Sequence, residues 1–477
     1  MLTTLAVVSA YLVSTVAAAH ALLHKRDPRA ALGWLVACLA MPGVGALLYL
    51  LFGMNRIRTR ALSWQRSGKG LYPQQDGDTG GGNEFPAILH PPFATQNYQL
   101  LRQLSDNVCR RPLLAGNSVE ALHNGEQAYP AMLEAIAAAR HSIALATYIF
   151  DTDAVGRQFV AALTAAARRG VEVRVLVDGL GEMYSWPRVS RLFAATPVRL
   201  ERFLPFTLRR RGIHFNLRSH RKVLVVDGSI GFTGGMNISR RHLSNGGGSD
   251  HVVDIHFRLA GPVVGQMQES FREEWHFACG ETFSGRNYPP PLENGTSLCR
   301  AISAGPNEDY EKLVWITVGA LNCARRRIGI MTPYFVPDRM LVSALNAAAL
   351  RGVQVEIILP QRNNLFFVHA ASRGACAELL AYGVRIYYQP PPFVHSKLLF
   401  MDEHYALVGS ANVDPRSQRL NFEFNVEVYD EQLNHHLRHH FDATVAKSQP
   451  VTAAMLARRS LPLKLWDNFC RLFTPFL

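Results

Sequence analysis

Two uncharged apolar runs open the chain, residues 2–23 and 30–55. At 1.5 Å of rise per residue, a helix made from either is long enough to cross the ~30 Å hydrocarbon layer of a bilayer. His24, Lys25, Arg26, Asp27, Pro28 and Arg29 lie between them and leave room only for a tight turn. The pattern therefore predicts a transmembrane helical hairpin, with helices at about 2–23 and 30–54. A two-span hairpin puts Met1 and everything after Asn55 on one side. Pro42 is expected to kink the second span, and Trp34 and Tyr49 to sit at the interface. Residues 67–84 are rich in Gly, Asp and Gln and read as a flexible linker. Beyond them the pattern changes to short Val/Ile-rich strands alternating with Ala-rich helices, the signature of helix-flanked α/β sheets.

That α/β pattern occurs twice. AAARRGVEVRVLVD (165–178) returns as AAALRGVQVEIILP (347–360), and Thr147-Tyr148-Ile149-Phe150 with Asp153 returns as Thr332-Pro333-Tyr334-Phe335 with Asp338. A third match has the form H-x-K-x4-D-x6-G-x2-N. It reads His220, Lys222, Asp227, Gly234 and Asn237 in the first copy, and His395, Lys397, Asp402, Gly409 and Asn412 in the second. Three equivalences in one order indicate a duplicated unit whose site lies at a pseudo-twofold junction. The expected organisation is a membrane hairpin (1–60), a linker (61–95), two α/β domains (96–295 and 296–460) and an amphipathic tail (461–477).

The third match carries the chemistry. Random placement gives about 0.01 H-x-K-x4-D occurrences in such a chain. The four apolar residues after each Lys mark a buried strand. On a strand His220 and Lys222 share one face while Asp227 faces the other, and the same holds for His395, Lys397 and Asp402. The two Asp therefore read as structural, paired to a cation or to backbone amides. Lys supplies a point charge suited to a phosphate oxygen, and Asn237 and Asn412 can add neutral donors. Two imidazoles, two ammonium groups and two amides form a phosphoryl site that needs no metal or other cofactor. Two imidazoles also suit a two-step displacement, one as nucleophile and one as general acid and base. A carboxylate on the far ring nitrogen strengthens such a His. The candidates are Asp254, in the strand-like DHVVDIHF, for His220, and Glu423, in Asn421-Phe422-Glu423, for His395.

These motifs resemble those of the phospholipase D superfamily. Together with PGVGALLYLLFG, TYIFDTD, FTGGMN, TPYFVPD and FVHSKLLFMD…VGSANVDPRS, they are similar to bacterial cardiolipin synthases over nearly the whole length. The resemblance implies two pseudo-twofold-related phospholipase D-like α/β domains with mixed sheets. It implies His220 as the nucleophile that forms a phosphatidyl-enzyme and His395 as the general acid/base. It also implies Ser410 beside the phosphate, and phosphatidylglycerol as both donor and acceptor. The first copy departs from the pattern: Gly234-Gly235-Met236-Asn237 stands where the second has Gly409-Ser410-Ala411-Asn412, which removes one hydroxyl.

Composition narrows the alternatives. With 48% hydrophobic and 18% charged residues the chain is not a disordered protein. Fifty Lys and Arg against 37 Asp and Glu leave +13, which favours an anionic partner. Anionic phospholipid in the inner membrane fits best; no nucleic acid is expected, because no interleaved aromatic and basic stripe suits stacked bases. Arg56, Arg58, Arg60, Arg66 and Lys69 outnumber the three cations of the turn and favour cytoplasmic catalytic domains. Cys38, Cys109, Cys279, Cys299, Cys323, Cys376 and Cys470 are scattered without a C-x-x-C pair, as in a reducing compartment. A cleaved signal peptide ending at Ala19-His20-Ala21 is the main alternative for the first run, and a membrane phospholipase D or a nuclease with the same motifs for the function. Weaker signals are His435, His436, His439 and His440, read as a solvated helix face; the basic run 209–211; and the glycines 246–248. The tail alternates apolar residues with Lys464 and Arg471, to lie on a bilayer or pack on the core.

Overall fold

The computed structural model describes residues 2–25, 28–53, 96–109, 111–205, 217–244, 250–283, 293–305 and 311–474. The expected linker, the basic run 209–211, the glycines 246–248 and the cations at 56–69 lie outside them. The chain divides into two compact units, Met1–Trp64 and Gln65–Leu477.

In the first unit, helix Leu2–His24 is the one described helix long and apolar enough to cross a membrane. The second apolar run does not form the expected span. It makes helix Pro28–Ala40, stops, and resumes as Val44–Leu48 and a π-helical turn, Tyr49–Gly53. Pro42 lacks the N–H that would continue the helix, and Gly43 sits at φ 79°, a left-handed conformation that reverses the chain. The returning limb packs against both helices. Gly43 N donates to Ser14 Oγ (2.8 Å), Tyr49 Oη bonds His20 Nδ1 (2.8 Å), and the Trp34 and Tyr49 rings lie 5.3 Å apart. Tyr49 is thus packed inside the unit rather than at an interface. Thirteen residues span only ~20 Å, so the run is re-entrant: its tip lies beside Ser14, halfway along the first helix.

In the second unit the first copy contributes strands β1 (Leu114–His123), β2 (Ser142–Thr147), β3 (Glu172–Asp178), β4 (Arg199–Phe203), β5 (Val223–Val226), β6 (Ile230–Gly234), β7 (Val252–Val253) and β8 (Ile255–Ala260). The second contributes β9 (Ser297–Ala304), β10 (Arg327–Met331), β11 (Gln354–Pro360), β12 (Arg385–Gln389), β13 (Phe393–Val394), β14 (Leu398–Met401), β15 (Tyr405–Gly409), β16 (Glu423–Tyr429) and β17 (Gln449–Val451). Fifteen of these strands join in one mixed sheet. From its centre the order β1-β8-β6-β5-β2-β3-β4 runs one way and β9-β16-β15-β14-β10-β11-β12 the other, with β17 at the far edge. The repeat in sequence is thus a repeat in topology, fused through the antiparallel β1–β9 pair.

The repeated residues outside the motif have local work. Asp153 caps helix Ala154–Arg168 by accepting from Gly156 N (3.0 Å), and Asp338 caps helix Arg339–Leu350 by accepting from Leu341 N (3.0 Å). The Arg-Gly stops end both helices: Gly170 and Gly352 take φ 92° and 87°, while Arg169 and Arg351 donate to carbonyls of the preceding helix.

Asp227 and Asp402 end β5 and β14 at φ 51° in both cases. The carboxylate of Asp227 accepts from the amides of Arg140, His141 and Ser142, and that of Asp402 from the amides of Arg325, Arg326 and Arg327. Each Asp therefore pins the start of β2 or β10 to the motif strand, behind the face that carries His and Lys. Replacing Asp402 by Ala leaves three amides without their acceptor and is expected to cost roughly 2–4 kcal/mol. Thermal unfolding followed by circular dichroism checks this, and an unchanged midpoint would refute the clamp.

Candidate active site

Each motif His is brought up to the opposite copy by a short strand. Ser219 bridges Phe422, and the amide of His220 donates to Phe422 O (2.9 Å), one residue before Glu423. β13 pairs in parallel with β7, and the amide of His395 donates to Val253 O (2.8 Å), one residue before Asp254. The two halves thus exchange strands at the junction, and the carboxylates are exchanged with them. His220 Nδ1 lies 3.0 Å from the carboxylate of Glu423, and His395 Nδ1 3.0 Å from Asp254 Oδ2. This corrects the pairing expected from sequence, which assigned Asp254 to His220 and Glu423 to His395. Proximity along the chain misleads here because β8 and β16, at whose starts the carboxylates stand, flank the central β1–β9 pair.

Both carboxylates are fully buried, and the two His side chains keep only 12% and 11% of their surface. With Nδ1 on the carboxylate, Nε2 is the ring atom that can meet a substrate, and on His395 it lies 3.1 Å from Lys397 Nζ. Lys222 and Lys397 fold back so that Nζ donates to the carbonyls of His220 (2.8 Å) and His395 (2.6 Å). Lys397 Nζ also lies 3.0 Å from His395 Nδ1. Burial lowers the His395 imidazole to about 4, assisted by Lys397 and opposed by Asp254. Burial and the charges of Lys222 and Lys397 likewise push His220 well down. Lys397 acting on His220, and Lys222 on His395, put the two motifs in one electrostatic neighbourhood.

The two halves differ in how they hold the carboxylate. Burial alone would raise Asp254, but the bond to His395 and nearby cations hold it at about 2. Burial pushes Glu423 up and Lys222 down, and the charge of each opposes the shift of the other. Ser410, expected at the phosphate, instead donates to Glu423 Oε2 (2.5 Å), with Asn421 Nδ2 at 3.3 Å. In the first copy Gly235 stands in its place, and a Cβ there would lie 2.5 Å from both Asp254 oxygens. The missing hydroxyl is the space the shorter Asp occupies. Asn237 accepts from Ile149 N (3.2 Å), and Asn412 Nδ2 donates to Ser417 Oγ (3.2 Å). Sequence reasoning missed two rings. Tyr148 lies edge-on to His220 (5.3 Å) and Tyr334 edge-on to His395 (6.3 Å). Both belong to the repeated aromatic block after β2 and β10, but no spacing tied that block to the motif.

The histidines of helix Glu431–Val445 divide. His436 and His440 meet His123 of the first copy, with His436 Nε2 2.9 Å from His123 Nε2; His435, His436 and His439 are exposed. Among the described residues no group of three His, Cys, Asp or Glu is placed to hold a metal ion.

Imidazoles paired across a duplicated sheet, each backed by a carboxylate from the other copy, are the working parts of a phospholipase D-type protein. Residues 132–275 and 318–445 match the family model described as cardiolipin synthase, PLD-like domain, and residues 12–53 match that described as phospholipase D-nuclease N-terminal. The chain belongs to the cardiolipin synthase family. It is 30% identical to a cardiolipin synthase of Staphylococcus aureus, over 95% of this chain and 93% of that one. It is 29% identical to one of Listeria monocytogenes, over 97% and 96%. The fold is shared with the phosphatidylserine synthase of Haemophilus influenzae Rd KW20, at a TM-score of 0.60 and 14% identity, over 79% of this chain and 100% of that one.

Two outcomes are expected. Gly235→Ala forces Asp254 away from His395 and lowers turnover by about 10²-fold, on the scale of losing a group that orients a catalytic base; wild-type rates would exclude that role for Asp254. The second concerns acid stability. His242 and His256 are lowered by burial to about 3, and His369, His395 and His440 to about 4. Unfolded, they titrate near pH ~6.5, so their contribution is intact above that value and lost as pH falls toward 4. Asp178, Glu274, Asp414, Glu423 and Glu427, raised by burial, pull the other way, but with His123 and His220 also lowered the histidines outnumber them among the described residues. Melting curves are expected to move to lower temperature between pH 7 and pH 5.

Proposed function

We propose that this enzyme makes cardiolipin by transferring a phosphatidyl group from one phosphatidylglycerol to another. The observation that carries the reading is the pair of buried imidazoles, each with Nδ1 held by a carboxylate of the other copy and each beside a Lys. His220 Nε2 attacks phosphorus, the bond to the glycerol oxygen breaks, and His395 gives that oxygen its proton, releasing glycerol. The terminal hydroxyl of a second phosphatidylglycerol then passes its proton to His395 and attacks phosphorus. The P–N bond breaks and its electron pair returns to His220. The phosphodiester anion, drawn in by Lys222 and Lys397, raises His395 from its low resting value and so supplies the first proton donor.

A membrane-associated chain keeps this site against a dense pool of acceptor lipid, and local concentration lets the hydroxyl compete with water. The re-entrant second run bears on sidedness. Ser14 meets Gly43 and His20 meets Tyr49, so the returning limb runs parallel to the first helix and ends at the level of His24. His24 and Lys25 then lie on the face of the bilayer from which the chain leaves at Gly53, and the sequence is rich in cations on both sides of that point. Their summed charge favours the cytoplasmic side for everything that follows, after a single full crossing.

Purified enzyme with labelled phosphatidylglycerol is expected to release cardiolipin and glycerol in equal amounts; phosphatidic acid as the sole product would make it a hydrolase. His220→Ala is expected to abolish both the product and a trapped phosphorylated intermediate. An intermediate surviving on that variant would reverse the roles of the two histidines.

A further inference from the structure

In both copies the loop that follows the second parallel strand carries large apolar side chains into solvent at equivalent places. Met183 and Tyr184, after β3, are 50% and 65% exposed; Leu365 and Phe366, after β11 and 182 positions later, are 46% and 64% exposed. The core side of the repeat is explained by packing, but these side chains leave about half or more of their surface in solvent. Their place relative to the chemistry is also duplicated. The Tyr184 ring lies 6.3 Å from that of Tyr148, which stands edge-on to His220. Asn364, beside Leu365, accepts from the hydroxyl of Tyr334 (2.9 Å), which stands edge-on to His395. Tyr184 of the first loop also acts electrostatically on Tyr334, the ring that Asn364 of the second loop holds. Exposed apolar residues therefore rim the site from both halves.

The C-terminal helix Leu461–Leu472 enlarges this rim on one side. Its Asp467 and Cys470 are buried against helix Phe366–Ala381, with Asp467 gripped by Arg373 (2.8 Å) and Arg459 (3.1 Å). The other face carries Leu461, Leu465, Phe469 and Leu472 at i, i+4, i+8 and i+11, all exposed. Trp466 joins that stripe to the loop, its ring 5.8 Å from Phe366 and 5.4 Å from Phe367. The tail thus packs by one face, one of the two readings of its sequence, and leaves an apolar face outside. Cations surround this surface: Arg191 lies over the exposed Trp186 ring at 4.5 Å, and Arg362, Arg458 and Lys464 flank the second-half stripe.

We infer that the loops after β3 and β11, together with the outer face of helix Leu461–Leu472, form a docking surface that inserts into an anionic phospholipid bilayer and presents the active-site mouth to it. Three features select a bilayer. Aromatic and leucine side chains ringed by Arg and Lys are the composition of the interfacial zone, where the rings sit at headgroup depth and the cations meet phosphate. The surface is continuous with the catalytic rings. The same chain also carries a membrane-length helix. The inference rests on the diacyl phospholipid substrate proposed above.

The test uses the full-length chain reconstituted in phosphatidylglycerol vesicles. Leu465→Glu combined with Leu472→Glu removes two interfacial leucines and is expected to slow turnover of vesicle lipid about tenfold. Turnover of a short-chain phosphatidylglycerol below its micelle concentration is expected to be unchanged. In parallel, Trp186→Phe is expected to remove part of the fluorescence quenched by lipids brominated in the upper acyl chain. Unchanged vesicle turnover, or an equal fall on both substrates, overturns the inference. So does a change from dimer to monomer in the Glu variant, which would assign the face to a second copy. If the wild type turns over neither substrate, the proposed reaction fails. Bromolipid quenching then decides the docking surface alone: its loss on Trp186→Phe sustains the inference, and its persistence overturns it.

Discussion

The exchanged contacts between each motif histidine and the other copy's carboxylate are what the rest of the structure serves. A neutral imidazole buried beside two ammonium groups is a weak base with an undefined tautomer. A carboxylate on Nδ1 fixes the tautomer, aims the ring and stabilises the imidazolium when it forms. Because Asp254 serves His395 and Glu423 serves His220, neither copy holds a complete set. The duplication is therefore functional: a single copy would keep its histidine and lose the group that orients it.

The two copies are not equal, and the differences are correlated. Gly235 goes with the shorter Asp254, Ser410 with the longer Glu423 to which it donates. One carboxylate is held ionised by its cationic neighbours while the other is pushed toward its neutral form by burial. A two-step reaction asks one imidazole to attack and the other to shuttle a proton. Unequal environments around otherwise matched residues are what such a division of labour requires.

Much of this was legible in the sequence. The H-x-K-x4-D spacing fixed which side chains share a strand face, and the repeat foretold a duplicated sheet; the Asp residues read as structural do bind backbone amides. What was not legible depended on three-dimensional neighbours. The carboxylate pairing failed because short strand exchanges link residues 203 and 141 positions apart. The second apolar run was read by length and apolarity, which do not register that Pro42 and Gly43 reverse the chain. Ser410 was placed by resemblance at the phosphate, whereas burial directs its hydroxyl to the nearest carboxylate. The rim aromatics lay in segments whose period carried no helical or strand signal.

The antiparallel joint between β1 and β9 makes the two halves one sheet rather than two lobes on a hinge. A cleft of that construction cannot gape and close around successive lipids. In the reaction proposed, donor and acceptor would therefore come in turn to one pair of histidines whose spacing a continuous sheet sets.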